Sequence, residues 1–360
     1  MAEIQKWIKE LFINPDKRII GLGDSKMFPL YWYQIFPTYR CTRKCGFCFV
    51  DKQKGNLRNV PDMNEKTLQR LCEWLPKSYY EHNYLFCMVQ FLGGEPLLLT
   101  PYIKRIMDAV FEKTPGMIGL LHTNADLWDS VNWDDLDNIN IWHLQSGNTD
   151  IDELSRRLDI ILSHGENLFN GVPSCIAIVW DEYNLSRMEE LISFARDRNI
   201  ALRTYHDYTR SEDEPYKEHL LKRMHDAVDL LEKYKMTSNL FLDAFVKWDY
   251  PVSQFPCGSR LITIQPDGSA GVCTREPNLE NSRIGTIFDE GLLAKVKTRK
   301  DWHVRYNKIG HPEECLTCIV KNTCQGGCIF DRVHRTKKLT GSYAFCKLHK
   351  EIFPRLNMLQ

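Results

Sequence analysis

The chain has 360 residues, of which 47 are basic, 47 are acidic and 43% are hydrophobic. This length allows one large domain and a smaller one. The zero net charge excludes the broad basic field expected of a nucleic-acid or lipid-surface protein, and no apolar run approaches the roughly 20 residues of a membrane span. The first residues lack the apolar core and cleavage site of a secretory signal, so we expect a cytoplasmic protein.

The first two thirds of the chain alternate short apolar runs with helical patterns. An amphipathic helix is predicted at the start, where apolar residues recur at helical spacing from Ile4 to Phe12. Strands are predicted at 31–38, 85–92, 118–122, 139–144, 175–180 and 201–206. The helices between them include 68–75, 103–111, 151–163 and 185–198, and Thr100 before Pro101 predicts a capped helix start. Six such units predict a parallel sheet, either open and doubly wound or a partial barrel.

The pattern changes near residue 236, where a long polar helix at about 215–235 is followed by a cysteine-rich tail. In this tail, residues 260–265 and 269–274 flank Pro266-Asp267-Gly268, which predicts a hairpin. We therefore expect three parts: an N-terminal helix and lead-in at 1–30, an α/β domain at 31–235 and a small domain at 236–360.

Cysteines point to metal binding rather than to disulfides. There are 13 of them, an odd number in a chain with no export signal. Cys41, Cys45 and Cys48 lie within eight residues, directly after the first predicted strand. Three thiolates are one short of a closed zinc or cubane site, whereas a 4Fe–4S cluster with one open iron fits them.

This C-x3-C-x2-C motif, with Phe47 before its last cysteine, resembles that of the radical S-adenosylmethionine (SAM) enzymes. The resemblance implies that the three thiolates hold a 4Fe–4S cluster and that its free iron chelates SAM. Reduction of SAM would then give a 5'-deoxyadenosyl radical that abstracts hydrogen from the substrate. The four residues that close the second strand, Gly93-Gly94-Glu95-Pro96, resemble the family's motif for the SAM amino group, and Glu95 can accept from an ammonium.

Further SAM contacts are implied at the ends of the third and fourth strands. Thr123-Asn124 matches a familiar pair, and Asn124 is taken as a SAM residue. Where related enzymes carry Ser-Leu-Asp-Gly, this chain reads Leu144-Gln145-Ser146-Gly147, so Gln145 or Ser146 would replace the lost hydroxyl at the ribose. Arg156 is expected either to pair with the SAM carboxylate or to be a solvated helix residue.

The tail carries C-x10-G-x4-C, then C-x2-C-x5-C-x3-C and a final cysteine. In isolation it would suggest zinc-ribbon sites, but the whole string resembles the SPASM domain, which holds two auxiliary iron–sulfur clusters. The resemblance implies one cluster on Cys315, Cys318, Cys324 and Cys346, and another on Cys257, Cys273 and Cys328. The second set lacks a fourth thiolate, so its last site is either open or filled by Asp249 or another group. The remaining three cysteines are expected to be buried packing residues: Cys72, Cys87 and Cys175.

Together these features predict a partial (β/α)6 TIM-like barrel with a small cysteine-rich α+β SPASM extension, three 4Fe–4S clusters and SAM. The implied function is oxidative modification of a peptide or protein by a crosslink, a thioether or side-chain oxidation, with electrons passing to the auxiliary clusters and a flavodoxin or ferredoxin as reductant. Sulfatase-type maturation is disfavoured, because those relatives have an aspartate where this chain has Thr274.

Some questions stay open at this stage. About thirty residues precede the barrel, too few for a leader-binding domain of ~80 residues, so we expect a separate leader-binding protein or leader-independent recognition. Tyr205, His206 and Asp207 end the sixth strand and are either catalytic or structural. The alternatives are dehydrogenation of a small molecule, such as a sugar or aminocyclitol, and a non-catalytic iron–sulfur or zinc-binding protein.

Overall fold

A computed structural model describes residues 30–52, 57–82, 86–114, 116–164, 175–236, 241–243, 261–274, 282–295, 312–324, 326–336 and 341–358. The predicted N-terminal helix, Cys257 and Asp249 lie outside these ranges. None of the described helices is both long and apolar enough to cross a membrane.

The described strands form one ten-stranded sheet with the order β10-β9-β8-β1-β2-β3-β4-β5-β6-β7. Neighbours from β8 through β1 to β7 are parallel, whereas β8, β9 and β10 are antiparallel to one another. All six predicted strands and the predicted hairpin are confirmed, and the sheet is open, as a partial barrel requires. The strands are β1 Leu30–Ile35, β2 Phe86–Phe91, β3 Met117–Thr123, β4 Ile139–Gln145, β5 Cys175–Trp180, β6 Ala201–His206, β7 Phe241–Asp243, β8 Leu261–Ile264, β9 Ser269–Gly271 and β10 Arg283–Thr286.

Helices connect the parallel strands and pack on one face of the sheet. The longer ones are Glu65–His82, Thr100–Phe111, Ile151–Ser163, Met188–Asp197, Glu214–Lys233 and Cys346–Met358. Shorter helices span Phe49–Lys52, Glu182–Ser186, Lys321–Cys324 and Ile329–Thr336, and single 3-10 turns span Leu57–Asn59, Pro96–Leu99, Trp133–Asp135, Tyr208–Arg210 and Glu313–Cys315.

Two predicted helix features need correction. The single helix predicted at 185–198 is two helices, which meet at Arg187. Thr100 is not a capping residue: Leu99 is the N-cap, and the Thr100 hydroxyl donates to Asp135 Oδ2 at 3.1 Å. The reason is that a 3-10 turn at Pro96–Leu99 runs directly into the helix, so the backbone of Thr100 is already helical.

Residues alternate between the two faces of each strand. In β1, Tyr31, Tyr33 and Ile35 belong to the main core between sheet and helices. Trp32 lies on the other, inner face, where a small apolar cluster forms a floor. The floor consists of Trp32, Met88, Ile118, Leu120, Ile141 and Leu261.

The cysteines expected to serve in packing do so. Cys87 and Cys175 are buried in their strands, and burial raises the pKa of Cys175 to about 12. Cys72 is half-buried against the main core. Burial therefore keeps these thiols protonated, which makes them poor nucleophiles.

Candidate functional site

The loop that follows β1 carries Cys41, Cys45 and Cys48, all as free, half-buried thiols. Its last turn closes when the Cys48 amide donates to the Cys45 carbonyl at 3.0 Å. Burial raises the pKa of Cys45 to about 11 and raises that of Cys48 as well. In water these thiols would stay protonated, and binding to iron is what would ionise them.

Among the residues that the structure describes, no three Cys, His, Asp or Glu side chains are arranged to hold a single metal ion. A cubane cluster has a different requirement, because each thiolate binds its own iron and the thiolates surround a larger object. Three cysteines of one short loop therefore fit a 4Fe–4S cluster better than they fit zinc.

Two arginines fix the conformation of this loop. Arg43 donates to both carboxylate oxygens of Asp126, at 2.7 and 2.5 Å, and to the Thr149 hydroxyl at 2.9 Å. Arg58 pairs with Asp51 and donates to the Arg43 carbonyl at 3.0 Å. The loop after β1 is thus joined to the loops after β3 and β4. Guanidinium groups beside the thiols also favour the charged state that iron binding needs.

The Gly93-Gly94 turn packs directly on the segment that leads into the cysteine loop. The Gly94 amide donates to the Thr38 carbonyl at 3.1 Å and the Glu95 amide to the Arg40 carbonyl at 2.8 Å. A Cβ on Gly94 would lie 1.9 Å from the Arg40 carbonyl oxygen. Only glycine allows this approach, so the turn and the cysteine loop form one unit.

Glu95 is fully buried, and its side chain accepts hydrogen bonds from three groups of the protein. The Thr123 hydroxyl donates at 2.6 Å, the Asn124 amide at 2.9 Å and the Leu97 amide at 3.0 Å. Burial outweighs these hydrogen bonds and raises the pKa of Glu95 to about 7. This side chain caps a helical turn and ties the end of β2 to the end of β3. Its contact with the SAM ammonium stays a prediction.

Asn124, which is predicted to contact SAM, lies against the cysteine loop. Its Nδ2 atom is 3.7 Å from Cys41 Sγ and donates to the Thr42 hydroxyl at 3.1 Å. Its Oδ1 atom accepts from the Asp126 amide at 2.8 Å. This places Asn124 at the edge of the three-thiol loop.

Arg156 and the adjacent Arg157 have different surroundings in the structure. Arg156 pairs with Glu153 and lies over the ring of Trp128 at 4.7 Å, on the solvent side. Arg157 is buried, donates to the Asn124 carbonyl at 2.7 Å and pairs with Asp126 at 2.7 Å. Arg156 is thus exposed, as the solvated alternative expects, whereas Arg157 supports the loop after β3.

Gln145 and Ser146, expected at the ribose, have different surroundings. Gln145 donates to the Ala177 carbonyl at 3.0 Å and contacts His122 Nε2 through its Oε1 atom at 2.9 Å. The Ser146 hydroxyl is buried and has no hydrogen-bond partner within the described part of the chain. Of the two side chains, Ser146 keeps its hydrogen-bonding capacity for a ligand.

A group of polar side chains on the inner face was missed by the sequence analysis. Gln34 and Gln90 pair at 2.9 Å, and the Thr274 hydroxyl also donates to Gln34. His122 and His143 lie edge to face with their rings 5.7 Å apart, and burial lowers the pKa of His122 to about 4. Both imidazoles are therefore neutral. The available signal was strand alternation, which puts every second residue of β1 to β4 on this face.

Tyr205, His206 and Asp207 do not form one group. Tyr205 and Arg203 both lie on the inner face of the sheet, and the Arg203 guanidinium lies 5.7 Å from the centre of the Tyr205 ring. His206 points the other way, into a buried contact with Phe345 and His349. Asp207 caps the turn Tyr208–Arg210 by accepting from the Thr209 amide at 3.0 Å. Asp207 therefore has a structural role, and only Tyr205 faces the same space as the inner polar group.

The tail cysteines predicted to share one cluster do lie together. Cys315, Cys318 and Cys346 all act electrostatically on Cys324, and burial followed by these charges raises its pKa to about 12. Cys273 is buried directly after β9, and Cys328 lies near Tyr343. The partner expected for these two, Cys257, is outside the described residues.

Comparisons with known proteins were made for the whole chain. No protein-family model matches it. A solved structure of native anSMEcpe with bound AdoMet and Cp18Cys peptide superposes with a TM-score of 0.67 at 17% identity, covering 92% of this chain and 99% of that one. Streptococcus suis SuiB bound to its precursor peptide SuiA gives a TM-score of 0.55 at 19% identity, covering 88% of this chain and 75% of that one. The chain has the radical SAM/SPASM fold.

One curated relative matches over a short stretch. The serine-type anaerobic sulfatase-maturating enzyme of Klebsiella aerogenes is 38% identical over 72 residues, which are 20% of this chain and 17% of that enzyme. The strands β1 to β4 are parallel neighbours, so their carboxyl ends lie at one end of the sheet. The three-thiol loop, the Gly93-Gly94 turn, Asn124 and Ser146 all lie at this end.

Proposed function

We propose that this protein is a radical SAM enzyme that oxidatively modifies a peptide or protein substrate. The observation that carries the proposal is the assembly at the carboxyl edge of the sheet. There, three free thiols, a turn that tolerates no side chain and the Asn124 amide are tied together by Arg43 and Glu95. The named peptides in the similar anSMEcpe and SuiB structures support a peptide substrate.

The proposed cofactors are SAM and three 4Fe–4S clusters: one on Cys41, Cys45 and Cys48, one on Cys315, Cys318, Cys324 and Cys346, and one on Cys257, Cys273 and Cys328. When bound, SAM and the first cluster supply a 5'-deoxyadenosyl radical that takes a hydrogen atom from substrate. The protein's own residues hold and shield the reactants. Arg43 and Arg58 keep the cysteine loop in one conformation, and Ser146 offers a buried hydroxyl to the nucleoside.

The proposed substrate space is the inner face of the sheet. An apolar floor that includes Trp32 and Leu261 closes its lower end. Above it lie neutral polar groups, among them Gln34, Gln90 and His122. Arg203 shares this face, and its guanidinium lies 5.8 Å from the centre of the Trp32 ring. The neutral polar groups can hydrogen-bond a peptide backbone and the guanidinium can accept a carboxylate, so such groups would regain the partners they lose with their hydration.

Thr274 bears on the class of modification. Its hydroxyl donates to Gln34 on the inner face, and a threonine cannot take up a proton as a carboxylate does. This favours a crosslink, a thioether or another side-chain oxidation over sulfatase-type maturation. The proposed boundaries are a barrel at 31–235 and a SPASM extension at 236–360, joined through the pairing of β8 with β1. The proposed partners are a peptide substrate, with or without a separate leader-binding protein, and a flavodoxin or ferredoxin as reductant.

The test is transfer of hydrogen from substrate. Reconstituted enzyme, SAM and dithionite would be incubated with candidate precursor peptides carrying uniform deuterium in their side chains, and 5'-deoxyadenosine would be analysed by mass spectrometry. The proposal expects deuterium in 5'-deoxyadenosine and a peptide lighter by the hydrogens removed. Deuterium transfer from a sugar or aminocyclitol, with none from any peptide, would contradict it.

A further inference from the structure

Two buried histidines connect the barrel to the tail cysteines. His349 Nδ1 lies 3.2 Å from Cys324 Sγ, and His349 Nε2 lies 3.2 Å from His206 Nε2. His206 is the last residue of β6, whereas His349 belongs to the helix Cys346–Met358. A single line of contacts therefore runs from a barrel strand to a proposed ligand of an auxiliary cluster.

The surroundings of His349 keep this line in place. The side chain is only 1% exposed, and its ring stacks on Phe353 at 4.3 Å. His349 also follows Cys346 by three residues in one helix, a spacing that puts both side chains on the same face. The helix thus presents one proposed cluster ligand together with an imidazole that reaches a second ligand.

The chemistry of an iron-bound thiolate sets the direction of these hydrogen bonds. Such a sulfur carries no proton and can only accept, so His349 Nδ1 must be the donor. In a neutral imidazole the other nitrogen is then an acceptor. His206 Nε2 must therefore carry the proton that it shares with His349. Cluster binding would fix the tautomers of both rings.

We propose that His349 is a positioning residue for the auxiliary cluster of Cys315, Cys318, Cys324 and Cys346, that it donates a hydrogen bond to the Cys324 thiolate, and that His206 orients it. This inference rests on the proposed function, since it needs that cluster. A hydrogen bond to a ligating sulfur withdraws electron density from the iron and stabilises the reduced cluster. The pair would keep this cluster easier to reduce, as an acceptor of substrate electrons must be.

Reduction potentials test the proposal. They would be measured by redox titration followed by electron paramagnetic resonance, in a background where Cys41, Cys45 and Cys48 are alanine so that the SAM cluster is absent. His349→Phe keeps an aromatic ring beside Phe353 but removes the donor. We expect the reduction potential of the auxiliary cluster to fall by about 59 mV, which is a tenfold lower ratio of reduced to oxidised cluster for one electron.

Three further variants separate the hydrogen bond from general packing. His349→Asn retains an N–H near the position of Nδ1 and should restore most of the potential. His206→Phe removes only the orienting partner and should give a smaller shift than His349→Phe. His225→Phe is the matched control, because His225 contacts Glu351 and Arg355 of the same terminal helix and, within the described ranges, makes no hydrogen bond to a cysteine. It should leave the potential unchanged.

A measurement on the wild-type protein tests the proposal even if a variant fails to assemble its cluster. Pulsed electron paramagnetic resonance of the reduced auxiliary cluster, with 15N-histidine in the protein, should reveal a weak nitrogen coupling. Absence of that coupling, or a strong one that indicates direct ligation, would overturn the proposal. Equal potentials in the wild type and His349→Phe would also overturn it. A reconstituted chain with no auxiliary iron would instead refute the proposed function.

Discussion

Replacing Arg157 with methionine, and Arg156 as its control, tests whether Arg157 supports the cysteine site. The two residues are both arginines but have different surroundings. Arg157 has 10% of its side chain exposed and donates to the Asn124 carbonyl, while Arg156 has 48% exposed and pairs with Glu153. Methionine is of similar length and keeps the apolar stem of arginine. Each change therefore removes mainly the charge and its hydrogen bonds.

The magnitude follows from which groups lose a partner. Asp126 keeps Arg43, and Glu153 keeps Arg156, when Arg157 is removed. The Asn124 carbonyl loses its charged donor in a buried place, for which about 2–3 kcal/mol of unfolding free energy is expected. Arg156 lies in solvent, where such pairs contribute little, so its variant should unfold close to the wild type.

Two assays check this. Urea unfolding of the apo-protein should give Arg157→Met a lower midpoint with an unchanged slope. Equilibrium binding of SAM to the reconstituted protein should weaken by about tenfold, which is 1.4 kcal/mol, because Asn124 is no longer fixed beside the cysteine loop. Equal losses for the two variants, or a larger loss of SAM affinity for Arg156→Met, would refute the reasoning.

Two more substitutions probe the Gly93-Gly94-Glu95-Pro96 turn. Gly94→Ala should abolish SAM binding and lower stability, because its Cβ would overlap the Arg40 carbonyl. Gly291→Ala, which lies outside the proposed site and has nothing within 4 Å of the added atom, should behave as the wild type. Thermal unfolding and SAM titration would show this, and wild-type behaviour of Gly94→Ala would contradict it. Burial raises the pKa of Glu95 from 4.5 to about 7 in the folded protein. The folded state therefore holds this proton more tightly than the unfolded state, and the free energy of unfolding should fall by about 3 kcal/mol as the pH rises from ~4.5 to ~7. Glu95→Gln, whose amide would oppose the Asn124 N–H, should be less stable than the wild type in urea at pH 5 and closer to it at pH 8; a gap that does not narrow would contradict the raised pKa.

Local patterns predicted most of the fold. The bounds of β5, β6 and the helix Ile151–Ser163 agree with those expected from apolar periodicity. The cysteine loop and the glycine turn could be predicted because each is a short motif whose chemistry depends on neighbouring residues. The packing of the turn on the Arg40 carbonyl could not be predicted, and neither could the pairing of Arg43 with Asp126, which lies 83 positions away.

The residues that the sequence did not reveal are those whose role depends on the direction in which the side chain points. In a helix, successive residues point about 100° apart, so the choice between Arg156 and Arg157 depends on where the helix begins, which Asp150 sets by capping it. In a strand, Tyr205 and His206 must face opposite sides, and this alternation could have excluded a common role. The contact of His349 with Cys324 depends on how the terminal helix packs, and the sequence contains no local signal for it.

Formation of 5'-deoxyadenosine by the anaerobically reconstituted protein, compared with that by a Cys41→Ala, Cys45→Ala, Cys48→Ala variant, tests the central claim most directly. Both proteins would be incubated with SAM and dithionite, and their iron and sulfide contents measured in parallel. We predict about twelve irons and steady SAM cleavage for the wild type, and a loss of about four irons and of all cleavage for the variant. A variant that still forms 5'-deoxyadenosine at the wild-type rate would contradict the assignment of the SAM site.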